Sequence, residues 1–471
     1  MSPARLLATV LLALALPATA SAASPLPATD APQNPFMAAN PNSNIHDDTW
    51  MTDAYDRAGP TGANLQTQFG PYPPSLCGSI AFDTAGRIVS VCPSTVSPPE
   101  ARIIDPTTLV TLGTYVLPTA PDPPGTKAFQ NFTGGGYFFL DRHNRIWSAT
   151  KTSHLYVLGE MPGGLGFTLD KDYDLTGVLT SDERVTSALP DFAGHLWFVS
   201  KKDGKVGVLD TKTGRIRVMT THEEIENSFA VGRDGIYIAS DKRMYRFGLR
   251  DGRPHIVWKA RYRNSGIVKP SQVDAGTGTT PTILRGGYVA ITDNADPMNV
   301  VVYRTATKLP RGRHRVVCQV PVFAKGASAT ENSLIGTGRS MIAENNYGYQ
   351  DPFGSSAGAP TKAGFARVDI NKRGTGCRKV WTNTTDAAPT AVPKLSTKTG
   401  LIYTYVYQDA GGGSPAWQWS AIDFRTGRNV FRKQASSDLL LGNNNYAGVA
   451  LGPDGTAYLG TIGGIQALRD G

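Results

Sequence analysis

The final stretch of the chain, residues 452–471, reads GPDGTAYLGTIGGIQALRDG. Asp454-Gly455 and Gly463-Gly464 are tight-turn signals, and the runs around them have strand composition. The stretch therefore predicts three short antiparallel strands, after which the chain stops. Comparable units earlier in the chain continue into a fourth strand, so the last unit needs a strand from elsewhere.

One signature recurs along the chain: a strand, a turn often containing Asp and Gly, and a strand with an aromatic or β-branched residue. Its turn positions are Gly86, Asn144, Gly194, Gly235, Gly287, Gly338, Gly400 and Gly455. Asn fits this pattern because it tolerates the left-handed conformation that makes Gly useful in turns. The mean step of about 53 residues is typical of propellers and other repeat arrays.

After each signature come another strand, a turn and a fourth strand, as in KVGVLDTKTGRIRVM at 205–219. Four-stranded antiparallel units repeated around a ring form a β-propeller. We therefore predict an all-β fold with a single propeller of eight blades, or of seven if one signature is accidental.

The N-terminal part is the expected source of the missing strand. Residues 47–55, DDTWMTDAY, have strand composition and precede the first full blade. Pairing of this segment with the last blade would close the ring and remove an open sheet edge. The alternative is that residues 45–57 form an irregular arm.

The N-terminus also predicts the location of the protein. Residues 1–22 combine Arg5, an apolar run and small residues, which is the pattern of a secretory signal peptide. The apolar run is shorter than the roughly 20 residues of a spanning helix, so membrane insertion is not expected. Residues 23–44 predict a flexible lead-in and residues 45–471 the propeller domain. We expect a monomer, secreted to the exterior or the periplasm.

Four cysteines in a secreted chain predict two disulfides. Cys77 and Cys92 lie in a hairpin centred at residues 84–85, which places them opposite one another. Cys318 and Cys377 remain and would join neighbouring blades. Metal ligation is the less favoured alternative because no C-x-x-C spacing occurs.

The formal charge of +9 comes from Lys and Arg scattered along the chain. The densest cluster, residues 308–316, has no interleaved aromatic residues that could stack on bases. It is therefore interpreted as a solvated turn, and no nucleic-acid partner is expected.

AIDFRTGRNVF, residues 421–431, resembles the repeat motif A-x-D-x-x-T-G-x-x-x-W of the quinoprotein (PQQ) alcohol dehydrogenase-like propellers, with Phe431 in place of Trp. VLDTKTGRIRV at 208–218 is a looser match, and RVDINKRGTGCRKVW at 367–381 keeps the terminal Trp. The resemblance implies the propeller fold and a blade-docking role for the Trp position. PQQ alcohol dehydrogenases carry a vicinal Cys-Cys disulfide, and none of these cysteines is adjacent to another. PQQ is therefore not carried over.

Function is expected on the face that carries the long loops. In a propeller the connections between blades and the loops after each second strand emerge on one face. The long loops there are residues 293–299, 344–362 and 407–417. Loops clustered on one face of a rigid scaffold often form binding sites.

Acidic and amide side chains recur at the entries to the blades. The tripeptide Glu-Asn-Ser occurs at 226–228 and 331–333, in two blades separated by one. The candidate ligand-binding residues are Glu226, Asn227, Asp293, Asn294, Glu331, Asn332, Asn345, Asn346, Tyr347 and Asn444. Asp293, Asp296 and Glu331 are the candidate Ca²⁺ ligands, because carboxylate and amide oxygens suit a hard cation. The alternative is that these residues cap turns.

The sequence also predicts positions for three tyrosines and one histidine. Tyr403, Tyr405 and Tyr407 share one strand face, which predicts packing between blades, with Tyr407 alone close enough to a loop to contact a ligand. His46 is predicted at the surface, with a place near the ring closure as the alternative.

Four functions remain open at this point. The favoured one is a propeller that binds a small polar molecule or glycan, with Ca²⁺ as a candidate cofactor. A lyase or hydrolase would use Glu226 or Glu331 as acid/base with a Tyr partner. A PQQ-type oxidoreductase and a scaffold for protein contacts are the other two, and the fold does not select among them.

Overall fold

The computed structural model describes residues 24–471 except for residues 74, 95, 127–130, 132–134 and 353–360. The predicted signal peptide lies outside the described residues, as does part of the loop predicted at 344–362. No helix within the described ranges is long and apolar enough to cross a lipid bilayer. The described helical structure is a single 3-10 turn, Pro162–Gly164.

The strands form eight sheets arranged as the blades of a ring. Two N-terminal strands come first, β1 (Ala54–Tyr55) and β2 (Gln66–Pro71). Blade 1 contains β3 (Ser79–Phe82), β4 (Ile88–Cys92), β5 (Glu100–Ile104) and β6 (Thr111–Val116). Blade 2 contains β7 (Phe138–Leu140), β8 (Ile146–Ala149), β9 (His154–Glu160) and β10 (Phe167–Asp174). Blade 3 contains β11 (Val185–Pro190), β12 (Leu196–Ser200), β13 (Lys205–Leu209) and β14 (Ile216–Thr220). Blade 4 contains β15 (Ala230–Gly232), β16 (Gly235–Ala239), β17 (Arg243–Arg250) and β18 (Arg253–Arg261).

The other half of the ring repeats this plan. Blade 5 contains β19 (Thr282–Leu284), β20 (Tyr288–Thr292), β21 (Asn299–Arg304) and β22 (Val316–Pro321). Blade 6 contains β23 (Ile335–Thr337), β24 (Ser340–Glu344), β25 (Phe365–Ile370) and β26 (Cys377–Asn383). Blade 7 contains β27 (Lys394–Ser396), β28 (Leu401–Asp409), β29 (Pro415–Asp423) and β30 (Asn429–Ser436). Blade 8 contains β31 (Val449–Leu451), β32 (Ala457–Thr461) and β33 (Gly464–Arg469), completed by β2.

The ring is closed, because the first strand of blade 8, β31, contacts the first strand of blade 1, β3. The eight-blade prediction is therefore confirmed. All eight predicted turn positions lie at the hairpin between the first and second strands of a blade. Gly86 and Asn144 illustrate why these residues recur there, since their φ angles are 79° and 60°.

An N-terminal strand completes the last blade, as predicted, but it is not the segment 47–55. The strand is β2, which pairs antiparallel with β33 from Gln66 opposite Arg469 to Pro71 opposite Gly464. Its sequence is mostly polar and its side chains are mostly exposed, as suits the outer edge of a blade. Residues 47–55 contain Trp, Met and Tyr because this segment packs in another part of the molecule.

Residues 43–55 lie inside the central channel, and we call them the central segment. Backbone N–H groups of four blades donate to it: Val231 to Thr49 O at 2.7 Å, Ile283 to Trp50 O at 2.9 Å, Gly336 to Thr52 O at 2.8 Å and Leu395 to Asp53 O at 2.9 Å. Its last residues form β1, which pairs in parallel with β27. The chain therefore fills its own channel.

The residues expected to form a flexible lead-in, from residue 24 to residue 44, lie against the ring. Asn34 is fully buried, and its side-chain amide donates to Pro190 O at 2.9 Å. The backbone N–H of Ala38 donates to Leu140 O at 2.9 Å. These contacts are made at the turns between first and second strands, which we call the lower face. The opposite face, with the connections between blades, is the upper face.

Tryptophans in outer strands dock neighbouring blades, as the family resemblance implies. The Trp381 indole donates from blade 6 to Phe424 O of blade 7 at 3.0 Å, and its ring lies against Gly427. Trp258 donates in the same way from blade 4 to Thr305 O of blade 5 at 3.0 Å. At the motif's substituted position, the Phe431 ring contacts Gly62 just before β2.

Both predicted disulfides are present, Cys77–Cys92 and Cys318–Cys377. The second joins β22 to β26, the outer strands of blades 5 and 6. The register around the first changes by one residue, because Ser79 faces Val91 within the hairpin whereas Ser75 faces Ser94 beyond it. The centre predicted between residues 84 and 85 therefore describes the pairing at the disulfide correctly. For the strands β3 and β4 it is wrong by one residue in register.

Tyr403, Tyr405 and Tyr407 pack between blades 7 and 8, as predicted for their shared face. Tyr407 contacts the Trp417 ring, with 4.8 Å between ring centroids, rather than a ligand site. The predicted loop at 407–417 is largely strand, because β28 and β29 extend into it as a long hairpin.

Candidate functional site

A cavity of about 330 Å³ opens on the upper face above the central segment. Ile45 and His46 of that segment contribute to its lining. Most of the polar lining comes from blades 2, 4, 5 and 6 and includes Tyr137, Glu226, Asn227, Thr280, Glu331 and Asn332. The apolar lining comes from blades 7, 8 and 1 and includes Leu76, Val392, Leu440, Leu441, Ala447 and Ile462. The apolar residues are therefore concentrated on one side of the cavity, where Ser79, Ser94 and Asn445 also contribute to the lining.

The two Glu-Asn-Ser tripeptides meet at this cavity. Glu226, Asn227, Glu331 and Asn332 all line it, although about a hundred residues of sequence separate the two pairs. Each pair lies in the connection leading into an inner strand, β15 or β23. The inner ends of these connections converge because the inner strands surround one axis.

Glu226 is buried beside Lys201, whose Nζ lies 2.5 Å from Glu226 Oε2. Burial raises the pKa of Glu226 to about 8, although Lys201 acts in the opposite direction. Burial alone would lower the pKa of Lys201, but the carboxylate outweighs it and the net direction is upward. This carboxyl therefore already has a cationic partner.

Glu331 has no such partner among the described residues. Its Oε1 is buried without a hydrogen bond, and its backbone N–H donates to Asn346 Oδ1 at 3.0 Å. Burial, with added repulsion from Asp274 and Glu226, raises the pKa of Glu331 well above its ordinary value. The raised pKa favours the protonated form of the Glu331 carboxyl, which lines the cavity.

Asn332 is held by its amide group and leaves its carbonyl uncommitted. Its Nδ2 donates to Glu344 Oε2 at 3.2 Å and to Ala391 O at 3.0 Å. Its Oδ1 is buried without a hydrogen-bond partner. On the neighbouring wall, Tyr137 donates to Asn227 Oδ1 at 3.1 Å.

The other predicted residues support loops of the upper face. Asp293 accepts from the backbone of Asn299 at 2.7 Å and from its side chain at 2.8 Å. Asn294 donates to Ile267 O at 3.0 Å. Asn345 donates to Ala327 O at 3.0 Å. The turn-capping alternative describes the contacts that these side chains make.

Asn346, Tyr347 and Asn444 also lie outside the cavity lining formed by the described residues. Asn346 acts through its neighbours, because its Oδ1 accepts from the Glu331 backbone and its Nδ2 donates to Glu344 Oε1 at 2.9 Å. Asn444 Oδ1 accepts from Thr390 Oγ1 at 3.4 Å.

The predicted Ca²⁺ ligands Asp293, Asp296 and Glu331 are not brought together. Asp296 Oδ1 accepts from Gly326 N at 2.7 Å, and Asp293 is occupied by Asn299. Within the described ranges, the carboxylates close enough to share an ion are those of Glu224, Glu226 and Asp274, whose oxygens lie within 4.8 Å of one another. Lys201 already supplies a positive charge at this cluster.

Beneath the cavity lies a buried charged network that the sequence did not predict. His46 is 3% exposed, so its predicted surface position is wrong. Its Nδ1 lies 3.0 Å and 3.2 Å from the two carboxylate oxygens of Asp53 and 3.0 Å from Ser333 Oγ. Lys394 of blade 7 is fully buried and forms an ion pair with Asp53.

The pKa directions in this network define its charges. Burial alone would raise the pKa of Asp53, but Lys394 and His46 outweigh it and hold the pKa below its ordinary value. Burial raises the pKa of Asp47 well above its ordinary value despite Lys394. The pKa of Lys394 is raised, because Asp47 and Asp53 outweigh the effect of burial. Asp53 and Lys394 are therefore the ionised pair.

His46 Nε2, on the opposite side of the ring, is buried and has no hydrogen-bond partner among the residues that the structure describes. The His46 ring also stacks against Tyr137, with centroids 6.2 Å apart and an interplanar angle of 29°. The sequence signal for this site was a His followed closely by three Asp residues, at positions 47, 48 and 53. It could not be distinguished from a solvated turn.

The connection between blades 4 and 5, residues 262–281, crosses the upper face and was also missed. Ser271 O accepts from the Tyr446 hydroxyl of the blade 7–8 connection at 2.6 Å. Burial raises the pKa of Asp274, which lies in this connection, to about 7. The predicted site was based on the long loops after second strands and did not include this longer connection between blades.

Comparisons with known proteins support the fold. No family model matches the chain. A relative described as an uncharacterized protein of Archaeoglobus fulgidus is 26% identical over 358 residues, which are 69% of this chain and 68% of the relative. Among solved structures, the quinohemoprotein alcohol dehydrogenase from Comamonas testosteroni matches with a TM-score of 0.57 and 10% identity, over 92% of this chain and 81% of that one. A streptogramin B lyase matches with a TM-score of 0.41 and 11% identity, over 86% and 98%.

The resemblance predicted from the Ala421–Phe431 motif is confirmed at the level of architecture. This chain shares the fold of the quinoprotein alcohol dehydrogenase-like β-propellers.

Proposed function

We propose that the protein binds a small molecule in the upper-face cavity through hydroxyl or amino donors on one side and apolar contacts on the other. The supporting observation is that three buried polar atoms of the cavity residues have no hydrogen-bond partner among the described residues: His46 Nε2, Glu331 Oε1 and Asn332 Oδ1. Buried polar atoms are normally paired, so a group of unpaired ones along one cavity favours a ligand that pairs them.

The shape and chemistry of the cavity define the ligand class. Its volume of about 330 Å³ lies at the lower end of the range for small-molecule sites, roughly 300–1,000 Å³. An apolar wall with a few convergent polar groups is the common composition of such sites. A sugar or another polyol with an apolar ring face fits both sides, which agrees with the expectation of a small polar ligand or glycan.

We further propose that binding takes place outside the cytoplasm. The two disulfides fit an oxidising compartment, because reducing cytosol keeps most thiols free. Export can be tested by expressing the full chain with a C-terminal tag and determining the N-terminus of the protein in the medium or periplasm. Cleavage after residue 22 or 23 is expected, whereas an intact cytoplasmic chain would contradict secretion.

The binding proposal is tested by thermal-shift screening of the mature chain against sugars, polyols and amino alcohols. Two residues of one loop provide a matched pair of variants, since Leu441 lines the cavity at 40% exposure and Leu439 lies outside the lining at 37%. Leu441→Trp narrows the entrance and is expected to abolish the shift produced by a ligand, whereas Leu439→Trp keeps it. A shift that survives Leu441→Trp unchanged, or a panel without any shift, would contradict the proposal.

A further inference from the structure

We infer that the cavity is a hydrolytic active site in which His46 is the general base, oriented by Asp53, and that the substrate is an ester of a small polar alcohol. The inference rests on the proposed ligand site and adds a reaction to it. It starts from one geometric fact: the His46 ring is fixed on its Nδ1 side, whereas Nε2 belongs to a cavity-lining side chain and has no hydrogen-bond partner within the described part of the chain.

The hydrogen-bond pattern fixes the tautomer of His46. Asp53 is an ionised carboxylate paired with Lys394, so it can only accept hydrogen bonds. Ser333 Oγ has one proton and lies within hydrogen-bond distance of both Asp53 and His46 Nδ1. Since both Asp53 oxygens lie 3.0–3.2 Å from Nδ1, Nδ1 must carry a proton that it donates to Asp53. In the neutral imidazole Nε2 is then the unprotonated, basic nitrogen, and it has no hydrogen-bond partner among the described residues.

The same cavity holds a proton donor. Glu331 presents a carboxyl oxygen that has no hydrogen-bond partner among the described residues, and burial together with its acidic neighbours raises the pKa of the group, which favours its protonated form. Ser333, which contacts His46, lies only two residues from Glu331 along one connection. A base and an acid in different protonation states are thus presented to one small space, which is the usual arrangement for acid–base catalysis.

The hydrolytic step balances with these two groups and water. His46 Nε2 takes a proton from a water molecule as the water oxygen bonds to the ester carbonyl carbon. The bond from that carbon to the alcohol oxygen then breaks, and the leaving oxygen takes the Glu331 proton. The products are a carboxylic acid and an alcohol. The proton on His46 returns to Glu331 through solvent, and Asp53 stabilises the intervening imidazolium.

An ester fits this cavity better than a glycoside. Glycoside hydrolysis ordinarily needs an ionised carboxylate beside the sugar carbon as nucleophile or base. The carboxylates of the lining do not offer a free one, because Glu226 is paired with Lys201, Asp122 is paired with Lys151, and the pKa of Glu331 is raised, which favours its protonated form. An ester carbonyl can be attacked directly by water that a neutral imidazole activates.

The first test measures hydrolysis of p-nitrophenyl acetate, p-nitrophenyl butyrate and acetylated sugars by the mature chain. His46→Gln is expected to lower the rate about 10²–10⁴-fold, the usual contribution of a general base. His222→Gln is the matched control, because the His222 side chain is 78% exposed and is not part of the cavity lining; its rate should equal that of the unchanged protein. Equal rates for His46→Gln and the unchanged protein would overturn the inference.

The second test reads the tautomer and does not depend on the substrate. Long-range ¹H–¹⁵N NMR spectra of the histidine rings, with the His46 signals identified by their loss in His46→Gln, should show a protonated Nδ1 and an unprotonated Nε2. Asp53→Asn should reverse this, since an amide can donate to Nδ1, and should abolish hydrolysis in a chain that still folds. A proton on Nε2 in the unchanged protein would overturn the assignment of His46 as base.

The two proposals fail in different ways. If ligands shift the melting temperature but no ester of the panel is hydrolysed, the hydrolytic inference is wrong and the binding proposal stands. If no compound shifts the melting temperature and no ester is hydrolysed, both are wrong.

Discussion

A few buried charged side chains determine the chemistry of this molecule. Lys394 and Asp53 are both fully buried and pair with one another below the cavity. Ion pairs removed from water gain little net stability, because the cost of desolvation offsets their attraction. Removing one partner is a different matter, since the remaining charge then lies in a medium of low polarity without compensation. The ion pair therefore fixes the orientation of His46, but it adds little to the free energy of unfolding, and losing either partner would lower that free energy.

Replacing Lys394 tests this view of the pair. Lys394→Met should lower the free energy of unfolding by about 3–5 kcal/mol, because it leaves Asp53 buried without its cation. Lys398→Met, four residues away at an exposed position, should change it by less than about 0.5 kcal/mol. Urea unfolding followed by tryptophan fluorescence provides both values. Equal effects of the two substitutions would show that the buried pair does not contribute as argued.

The blades are joined by a repeated contact between the outer strand of one and the third-to-fourth-strand turn of the next. In β26 this contact is made by Trp381, whose indole N–H reaches Phe424 O while its ring covers Gly427. The same hydrogen bond recurs between Trp258 and Thr305. A side chain at Gly427 would collide with the Trp381 ring, so glycine is required there for the close approach. Such contacts explain why the sequence motif marks the packing of one blade against the next.

Trp381→Phe should therefore weaken the junction between blades 6 and 7. The variant loses one hydrogen bond and part of the ring contact, and it leaves Phe424 O without its partner. We expect a loss of about 1–3 kcal/mol in the free energy of unfolding. The rate of amide hydrogen exchange should increase mainly in β26 and β30 rather than in all blades of the ring. Uniform exchange would contradict a local docking role.

Closure of the ring joins the ends of the chain and places the N-terminal region at its centre. β2 completes blade 8, and the central segment fills the channel from the lower face up to His46. Several buried carboxyls consequently have raised pKa values, because burial disfavours their charge. The pKa is about 7 for Asp48, Glu160 and Asp274 and about 8 for Glu226.

These raised values predict that the protein is more stable in mild acid than in mild base. Between about pH 4.5 and pH 8 the folded chain retains protons that the unfolded chain releases, so the free energy of unfolding falls as the pH rises. Melting temperatures measured from pH 5 to pH 8 should therefore decrease. Glu226→Gln cannot lose a proton, and its melting temperature relative to the unchanged protein should rise with pH, by the equivalent of about 1 kcal/mol or more at pH 8. A melting temperature that increases from pH 5 to pH 8 would contradict the prediction.

The repeat, the number of blades, the need for a closing strand and the two disulfides followed from the sequence alone, because each depends on local turn chemistry or on hairpin spacing. The convergence of Glu226 with Glu331 followed from the repeat, since equivalent connections meet at one axis. Only the tertiary structure decided which segment closes the ring and what lies beneath the cavity. His46 contacts Ser333 across 287 residues and Lys394 contacts Asp53 across 341. Whether a charged residue is buried depends on such distant partners, and no local pattern records them.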